Sequence, residues 1–248
     1  VGILVQARMG STRLPGKVLE SIGGEPLILR TVRELMHVTN VSVLQVVTTD
    51  SPKDDLLCGV LTDAQIDYFR GDELDVLHRY LCAAKQLNLD AIVRVNGDCP
   101  FIDPLLVQDV VNHYILRSDN IDYVSTVIDE TFPLGMHVEV FSVRVLAACS
   151  KEAMGFEREH VTPFIYNNPN RFRVDSFKSE KNFANYRLTV DYPEDLTFSR
   201  KLADLLDSDI KIGEPRNRLH RIIRILEENA ELVAINSSYR KPQTMRFE

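Results

Sequence analysis

The sequence predicts an α/β fold in which a mostly parallel central sheet has helices on both faces. Three observations lead to this prediction. Short, continuously apolar runs such as Val1–Gln6 are typical of strands that are buried on both faces. Segments with apolar residues at helical spacing separate these runs, and the alternation continues to about residue 117. Beyond that residue the pattern changes, so we expect a mixed second half.

The first half contains strands and helices in regular alternation. A loop rich in Gly, Ser and Pro follows the first strand and ends at Lys17. The predicted strands are Val1–Gln6, Val43–Thr48, Ile66–Phe69 and Asp90–Asn96. The predicted helices are Pro26–His37, Pro52–Ala64, a segment marked by Leu74, Leu77, Leu81 and Ala84, and Leu105–Leu116, which Pro104 precedes.

The second half is expected to contain further strands and then two helices. The predicted strands are Asp122–Val127, His137–Phe141, Arg171–Phe177 and Tyr186–Val190. The predicted helices are Pro193–Leu206 and Pro215–Asn229, and the last dozen residues form a polar tail. The chain has no internal repeat, low-complexity tract or linker-like stretch, so we expect one domain over residues 1–248.

Composition excludes several classes of protein. Of the 248 residues, 44% are hydrophobic and 26% are charged, which is ordinary for a globular chain and argues against disorder. No apolar run approaches the ~20 residues that a membrane span needs. The net charge of −7 is a poor match for a protein that binds nucleic acid. The four cysteines lack metal-ligand spacing, so we expect reduced thiols in a cytoplasmic protein.

The loop after the first strand concentrates positive charge on an acidic chain. It contains Arg8, Arg13 and Lys17, whereas the first acidic residue is Glu20. Ligands of open α/β sheets bind beyond the carboxyl ends of the strands. Glycines allow backbone N–H groups to approach an anion, and Arg and Lys donate to it, so the loop suits a polyphosphate. The alternative is a solvated basic loop.

The loop does not match a P-loop. Five residues separate Gly10 from Gly16, where a P-loop has four, and Val18 stands where that motif has a metal-binding Ser or Thr.

Two aspartates follow predicted strands. Asp98 comes after Asn96 and Gly97, and Asp191 comes after the run RLTV. Two carboxylates at strand ends, facing a basic loop, could hold Mg²⁺ against phosphates. Each has a structural alternative, since Asp98 could form an Asx turn and Asp191 could cap the helix that opens at Pro193.

Five segments together resemble a known family. They are QARMGSTRLPGKVL, RGDELDVLHRY, RVNGDCPFIDP, EREHVTPFIY and RLTVDYPEDL, in order through roughly residues 1–200. This compound pattern resembles the spore coat polysaccharide biosynthesis protein F family. That family is similar to the CMP-KDO synthetases and to the wider acylneuraminate cytidylyltransferases.

The resemblance implies a Rossmann-like (GT-A-like) nucleotidyltransferase fold, a CTP substrate, Mg²⁺, a sugar acceptor and a homodimer. It implies a nucleotide-binding half over residues 1–120, a sugar-binding and dimerisation half over 121–200, and C-terminal helices and a tail over 201–248. Arg8, Lys17 and Asp98 would be catalytic, and Asp98 and Asp191 would bind the metal. The residues expected to bind the nucleotide are Ala7, Arg8, Gly10, Ser11, Arg13, Lys17, Thr49, Asp50, Arg70, Asp75, Asn96 and Gly97.

Two segments are expected to supply the sugar-binding residues. His137 and Glu139 alternate along a predicted strand, so they share a face that could line a sugar pocket or only pack. Glu157 and His160, in the run GFEREH, could contact the sugar, contribute to a dimer interface or lie on a solvated surface.

Three positions depart from the related families. Gln6 and Ala7 precede Arg8 where KDO synthetases have Pro-Ala, and Cys99 follows Asp98 where they have Glu. His137 stands where many relatives of the spore coat group have Asp. The first two departures separate this chain from true KDO synthetases, and the third leaves the sugar open. The choice of CTP over UTP also stays open, because it depends on backbone contacts that motifs do not show.

Two other functions fit parts of the pattern. A GT-A-type glycosyltransferase would share the fold, but no D-x-D motif follows the strand that ends at Asn96. A non-catalytic nucleotide-binding protein would have less reason to combine Arg8, Lys17, Asp98 and Asp191. We expect neither a nucleic-acid nor a membrane partner.

Overall fold

The apolar runs of the sequence form a seven-stranded sheet in the computed structural model, which describes residues 1–208 and 217–239. The strands in these ranges are β1 (Gly2–Gln6), β2 (Ser21–Ile22), β3 (Glu25–Pro26), β4 (Val43–Thr49), β5 (Tyr68–Gly71), β6 (Ala91–Asn96), β7 (Tyr123–Ser125), β8 (Glu139–Ser142) and β9 (Val174–Ser176). The α-helices are α1 (Leu27–Leu35), α2 (Asp55–Asp63), α3 (Val76–Gln86), α4 (Pro104–Arg117), α5 (Val143–Cys149), α6 (Phe156–His160), α7 (Pro163–Tyr166), α8 (Pro193–Ser208), α9 (Arg218–Glu228) and α10 (Ala230–Ala234).

The large sheet has the strand order β5-β4-β1-β6-β8-β7-β9. The first four strands of that order are parallel, β8 is antiparallel to both β6 and β7, and β9 is parallel to β7. The predicted mostly parallel α/β fold with a mixed second half is therefore confirmed. Strands β2 and β3 pair only with each other.

The strand order reverses direction at β1, which lies between β4 and β6. Gln6 at the end of β1 is in register with Val47 on one side and with Asn96 on the other. The loops that leave β1 and β6 therefore start side by side. In open α/β sheets the crevice at such a switch point is where ligands bind.

Both faces of β1 are covered, which explains why the strand is continuously apolar. Ile3 and Val5 belong to a core on one face, together with side chains of α1, α2, α4, α8 and α9. Leu4 belongs to a second core on the other face, together with side chains of α3, α5 and α7. All three side chains are fully buried. None of the described helices is long and apolar enough to cross a membrane.

The predicted strand Tyr186–Val190 is wrong. Its backbone forms a single bridge, between Arg187 and Leu134, and otherwise bonds to loops. The Leu188 N–H donates to the Leu134 carbonyl at 2.6 Å, and the Val190 N–H donates to the Asp98 carbonyl at 3.0 Å. The apolar pattern arises because this segment crosses the carboxyl end of the sheet over a buried surface, without joining the sheet's hydrogen-bond ladder.

Element ends differ from the prediction where side chains bond the backbone. Leu74 lies outside α3 and is exposed, because Asp72 accepts the N–H groups of Leu74 and Asp75 in a turn and Asp75 then caps the helix. Residues 52–54 form a 3₁₀ turn before α2. Residues 215–216, which begin the last predicted helix, lie outside the described residues. Residues 240–248 of the predicted tail do so as well.

Gly135 is the glycine at which the crossing segment packs most closely. Its φ is +105°, and a Cβ at that position would lie 2.6 Å from the Thr189 nitrogen and 2.7 Å from the Leu188 carbonyl carbon. Both neighbours are backbone atoms, so no side chain can move aside.

We expect Gly135→Ala to lower the free energy of unfolding by about 3 kcal/mol, because it combines backbone strain with a clash. The measurement is urea denaturation followed by circular dichroism. The matched control is Gly59→Ala, since Gly59 is exposed within α2 and a Cβ there meets nothing within 4 Å. That substitution should raise stability by about 0.5–1 kcal/mol. Equal effects of the two substitutions would contradict this account.

Candidate active site

The basic loop, which follows β1 and ends at Lys17, is held by hydrogen bonds to the backbone of Met9. The Met9 carbonyl accepts the N–H groups of Ser11 at 2.9 Å and of Gly16 at 3.0 Å. Gly16 has φ +74°, a conformation that favours glycine, and it precedes a 3₁₀ turn that begins at Lys17. The loop thus has a defined conformation that directs the Lys17 side chain inward.

Lys17 joins the two aspartates that the sequence predicted to meet. Its ammonium group lies 2.6 Å from Asp98 Oδ2 and 2.8 Å from Asp191 Oδ1, and it also donates to the Val190 carbonyl at 2.7 Å. The side chain is 9% exposed. Burial acts to lower the pKa of Lys17, but the charges of Asp98 and Asp191 outweigh it and raise that pKa. The ammonium is therefore held in its charged form.

Asp191 also bonds two arginines. Arg13 donates to its Oδ1 at 2.8 Å, and Arg187 donates to its Oδ2 at 3.0 Å. Burial acts to raise the pKa of Asp191, but Lys17 and the two arginines lower it below its usual range. The carboxylate is thus ionised among three cationic side chains.

Asp195, the third residue of α8, fixes the backbone around Asp191. The Asp195 carboxylate accepts the backbone N–H groups of Asp191 at 2.9 Å and of Tyr192 at 3.1 Å. It is fully buried and also accepts two bonds from Arg187, each of 2.8 Å. Because Asp195 satisfies the backbone here, the Asp191 side chain can face the basic loop.

Two adjoining cavities open at this edge of the sheet. The first has a volume of about 340 Å³ and is lined by the basic loop. The second has a volume of about 420 Å³ and is lined mainly by residues of the second half. Both cavities are lined by Arg13, Arg94, Asn96, Asp98, His160 and Asp191. The paired carboxylates therefore lie at the junction of the two cavities.

The first cavity contains many of the residues predicted to bind a nucleotide. Those that line it are Ala7, Arg8, Ser11, Arg13, Lys17 and Asn96. The predicted metal ligands Asp98 and Asp191 line it as well. Arg8 is partly exposed, with its guanidinium 4.0 Å from Glu73. Cationic side chains around a polar crevice can bind phosphate groups.

The second cavity is lined by His137, Glu139 and His160, three of the residues predicted to contact a sugar. Glu139 is ion-paired with Arg94, and it accepts the Tyr123 hydroxyl at 2.7 Å and the Thr162 hydroxyl at 2.6 Å. Burial acts to raise the pKa of Glu139, but the Arg94 charge and these hydrogen bonds lower it. The ion pair gives the cavity a rigid, charge-balanced wall.

A strained turn fixes the position of His160. Val161 has φ +74° and ψ −55°, and the Thr162 N–H donates to the His160 carbonyl at 2.9 Å, which defines a γ-turn. A β-branched residue rarely adopts this conformation. Burial of Val161 and the bond of Thr162 to Glu139 hold it in place. The turn holds the His160 ring beside Phe156, with the ring centroids 4.1 Å apart.

Several predicted nucleotide-binding residues line neither cavity. The Arg70 guanidinium donates to the carbonyls of Thr49 at 2.8 Å and Ser51 at 2.9 Å. Asp75 caps α3 and pairs with Arg158 at 2.5 Å. These contacts brace loops beside the site, and the predicted nucleotide contacts of Arg70 and Asp75 stay predictions.

Four further predicted residues contribute backbone or lie at the margin. The Gly97 N–H donates to the Gln6 carbonyl at 2.8 Å, and the Asp50 N–H donates to the Gly71 carbonyl at 2.9 Å. Gly10 lies beside Glu73, since a Cβ on Gly10 would be 3.3 Å from that carboxylate. Glu157 accepts the Met154 N–H at 3.3 Å. None of the four lines either cavity.

Sequence reasoning missed Arg94 and Thr162, which line the second cavity. Arg94 had a visible signal, because it is a charge inside the apolar strand β6 and shares a face with Asn96 two residues later. The fold places Thr162 at the site, and no local sequence pattern indicates this position.

The fold and the site define the class of protein. A sheet that reverses at β1, with a basic loop facing paired aspartates at that switch point, is suited to binding nucleotide phosphates. The chain belongs to the family described as Cytidylyltransferase, whose sequence model matches residues 2–233. It is therefore a nucleotidyltransferase, and the glycosyltransferase and non-catalytic alternatives are set aside.

Individual relatives agree with this assignment. The chain is 32% identical to the spore coat polysaccharide biosynthesis protein SpsF of Bacillus subtilis, over 92% of this chain and 94% of that protein. A cytidylyltransferase structure from Leptospira borgpetersenii superposes with a TM-score of 0.86 at 30% identity, covering 94% of this chain and 95% of the other. A CMP-KDO synthetase solved with CTP shares the fold, with a TM-score of 0.64 at 17% identity over 84% of this chain and 98% of the other.

We expect Asp191→Asn to lower the free energy of unfolding by about 1–3 kcal/mol at pH 7, because Lys17 and Arg13 lose a charged acceptor. The pKa of Asp191 is lowered by folding, so its contribution is present above its ordinary pKa and is lost as the pH falls below about 4. Urea denaturation of both proteins at pH 7 and pH 3 measures the difference.

The control is Asp55→Asn, which breaks an exposed pair with Arg70 and should cost below about 1 kcal/mol at pH 7. A difference between wild type and Asp191→Asn that persists undiminished at pH 3 would count against the ion-pair account.

Proposed function

We propose that this protein transfers a cytidylyl group from CTP to a hydroxyl of a sugar, releasing pyrophosphate and a CMP-sugar. One observation carries the proposal: Lys17 bonds Asp98 and Asp191 together at the junction of the two cavities. Two carboxylates that share a cation, placed between two cavities large enough for substrates, suit a reaction that joins two molecules. Membership of the family and the likeness to a synthetase solved with CTP support this choice of nucleotide.

In this mechanism the sugar hydroxyl oxygen attacks the α-phosphorus of CTP. A new P–O bond to the sugar forms, and the hydroxyl proton is released to water. The bond from the α-phosphorus to the bridging oxygen breaks, and that oxygen leaves with pyrophosphate. Phosphoryl transfer depends mainly on positioning and charge stabilisation. The nucleotide would occupy the first cavity, where Arg8, Arg13 and Lys17 offset the charge of the β- and γ-phosphates.

The paired aspartates fit a divalent ion. Their oxygens already share one cation, the Lys17 ammonium, and Mg²⁺ prefers oxygen ligands. The described residues contain no group of three His, Cys, Asp or Glu side chains that could hold a metal ion. Asp98 and Asp191 would therefore hold Mg²⁺ together with phosphate oxygens and water, as is usual for this ion. The bound ion would polarise the α-phosphate.

The sugar would bind in the second cavity. We propose that His137 and His160 contact the sugar there. Glu139 and Arg94 form the charge-balanced wall of this cavity. Glu157 would act indirectly, at the base of the helix that presents His160. Because the two cavities share Asp98 and Asp191, a hydroxyl in the second can reach a phosphate in the first.

The biological setting is part of the same proposal. Similarity to a spore coat protein suggests a precursor of surface or spore coat polysaccharide. The cysteines are free thiols, as is usual in the reducing cytoplasm. We propose that the halves 1–120 and 121–200 bind nucleotide and sugar respectively, and that the chain acts as a homodimer, which light scattering tests.

The test is a screen of CTP, UTP, GTP and ATP against a panel of sugars, with Mg²⁺ present, for release of pyrophosphate. Pyrophosphate from CTP and a CMP-sugar in the product support the proposal. Nucleoside diphosphate as the product, or pyrophosphate from another nucleotide in preference to CTP, would refute it.

We expect Asp98→Asn and Asp191→Asn each to reduce kcat by about 10²-fold or more with the fold retained, because each removes a charge from the reacting centre. Initial rates of pyrophosphate release measure the effect, and circular dichroism confirms folding. Asp204→Asn is the matched control, since Asp204 is exposed on α8 and lines neither cavity. Near-normal turnover of Asp98→Asn with Mg²⁺ would remove Asp98 from the mechanism.

A further inference from the structure

Asp54 is a buried carboxylate beside the basic loop. It ends the 3₁₀ turn after β4 and is 1% exposed. Its Oδ1 accepts the Met9 N–H at 2.7 Å. Its Oδ2 accepts the hydroxyl of Thr48 at 2.9 Å, and the N–H and hydroxyl of Thr49 at 3.1 and 2.5 Å. Within residues 1–208 and 217–239, no Lys or Arg forms a salt bridge with it.

Burying a charge without a counter-ion is unfavourable unless hydrogen bonds compensate for the lost water. Four donors do so here. Burial acts to raise the pKa of Asp54, but the bonds from Thr49, Met9 and Thr48 outweigh it and lower that pKa. The side chain therefore stays an ionised acceptor for every donor around it.

The bond to Met9 is the one that connects distant parts of the chain. Met9 is the residue whose carbonyl closes the basic loop by accepting from Ser11 and Gly16. Its N–H is held by Asp54, 45 residues away. Both polar groups of the Met9 backbone are thus fixed, and Met9 lies directly between Arg8 and Gly10.

We propose that Asp54 is a positioning residue that holds the basic loop in the conformation that binds the triphosphate. This inference rests on the proposed function, since it assigns the loop to the nucleotide. Asp54 lines neither cavity, so it acts through Met9 and not by contact with substrate. An ordered loop binds its ligand without a further loss of conformational entropy, so Asp54 should affect binding more than turnover.

The test is Asp54→Asn in the full chain. The amide has nearly the same shape, but its nitrogen is a donor facing donors, so the substitution releases Met9 or the threonines. We expect KM for CTP to rise about tenfold, and the Kd of inorganic tripolyphosphate, measured by calorimetry, to rise by a similar factor. The value of kcat should change by less than about threefold.

Asp103→Asn is the matched control. Asp103 is also a buried carboxylate, and the part of the chain that the structure describes contains no salt bridge to it. It accepts the N–H groups of Leu105 and Leu219, both at 2.8 Å, and so anchors α4 and α9 away from the cavities. A merely structural role for Asp54 predicts that the two variants lose similar stability and similar activity. Our proposal predicts that only Asp54→Asn weakens CTP and tripolyphosphate binding.

A milder variant keeps the test decisive if Asp54→Asn does not fold. Thr48→Val preserves shape and removes one of the four donors, so tripolyphosphate binding should weaken about threefold. Unchanged tripolyphosphate binding in the folded variants, or no tripolyphosphate binding by the wild type, overturns the role of Asp54. A different result refutes the proposed function: the wild-type protein binds tripolyphosphate but releases no pyrophosphate from CTP. In that case the role of Asp54 is decided by tripolyphosphate binding alone.

Discussion

The site depends on one ammonium group shared by two carboxylates. Lys17 is 9% exposed and reaches Asp98 and Asp191, so it joins the beginning, the middle and the far end of the chain at one point. An ammonium buried to this extent needs compensating charge, and two like-charged carboxylates need a cation between them. The two carboxylates therefore hold the Lys17 ammonium in its charged form, and Lys17 together with Arg13 and Arg187 keeps Asp191 ionised.

The fold supplies this arrangement through two constraints. Because β1 and β6 pair in register, the basic loop after Gln6 and the turn after Asn96, which contains Asp98, begin side by side. Asp191 lies on a separate segment that crosses the end of the sheet and forms backbone hydrogen bonds with Leu134 and with the Asp98 carbonyl. Asp195, which is paired with Arg187, accepts the Asp191 N–H and so fixes the backbone just before α8. The second constraint is tertiary, and it depends on backbone contacts that only Gly135 permits.

These constraints explain how much the sequence could predict. Periodicity is enough to place β1, β4, β5 and β6 and the helices between them, and the rule that ligands bind at the carboxyl ends of parallel strands selects the basic loop and Asp98. The same rule selects Asp191 from a strand that does not form, and the segment that carries it nevertheless ends beside Asp98. Tyr186–Val190 has the pattern of a strand because burial, not sheet pairing, produces an apolar run. Arg70 and Asp54 show a second limit, since which backbone groups their side chains bond depends on the fold of the loops around β4.

The charge balance of the site determines how a nucleotide and a divalent ion could bind to it. Lys17, Arg13 and Arg187 are matched by Asp98, Asp191 and Asp195, so the site holds no excess positive charge at its centre. Lys17 cannot donate fully to a phosphate while both carboxylates hold it, and its departure would leave Asp98 and Asp191 facing each other. A nucleotide that draws Lys17 away therefore needs a second cation to take its position. In the proposed reaction the triphosphate and the divalent ion would therefore bind together, because each would remove the electrostatic cost that the other would meet alone.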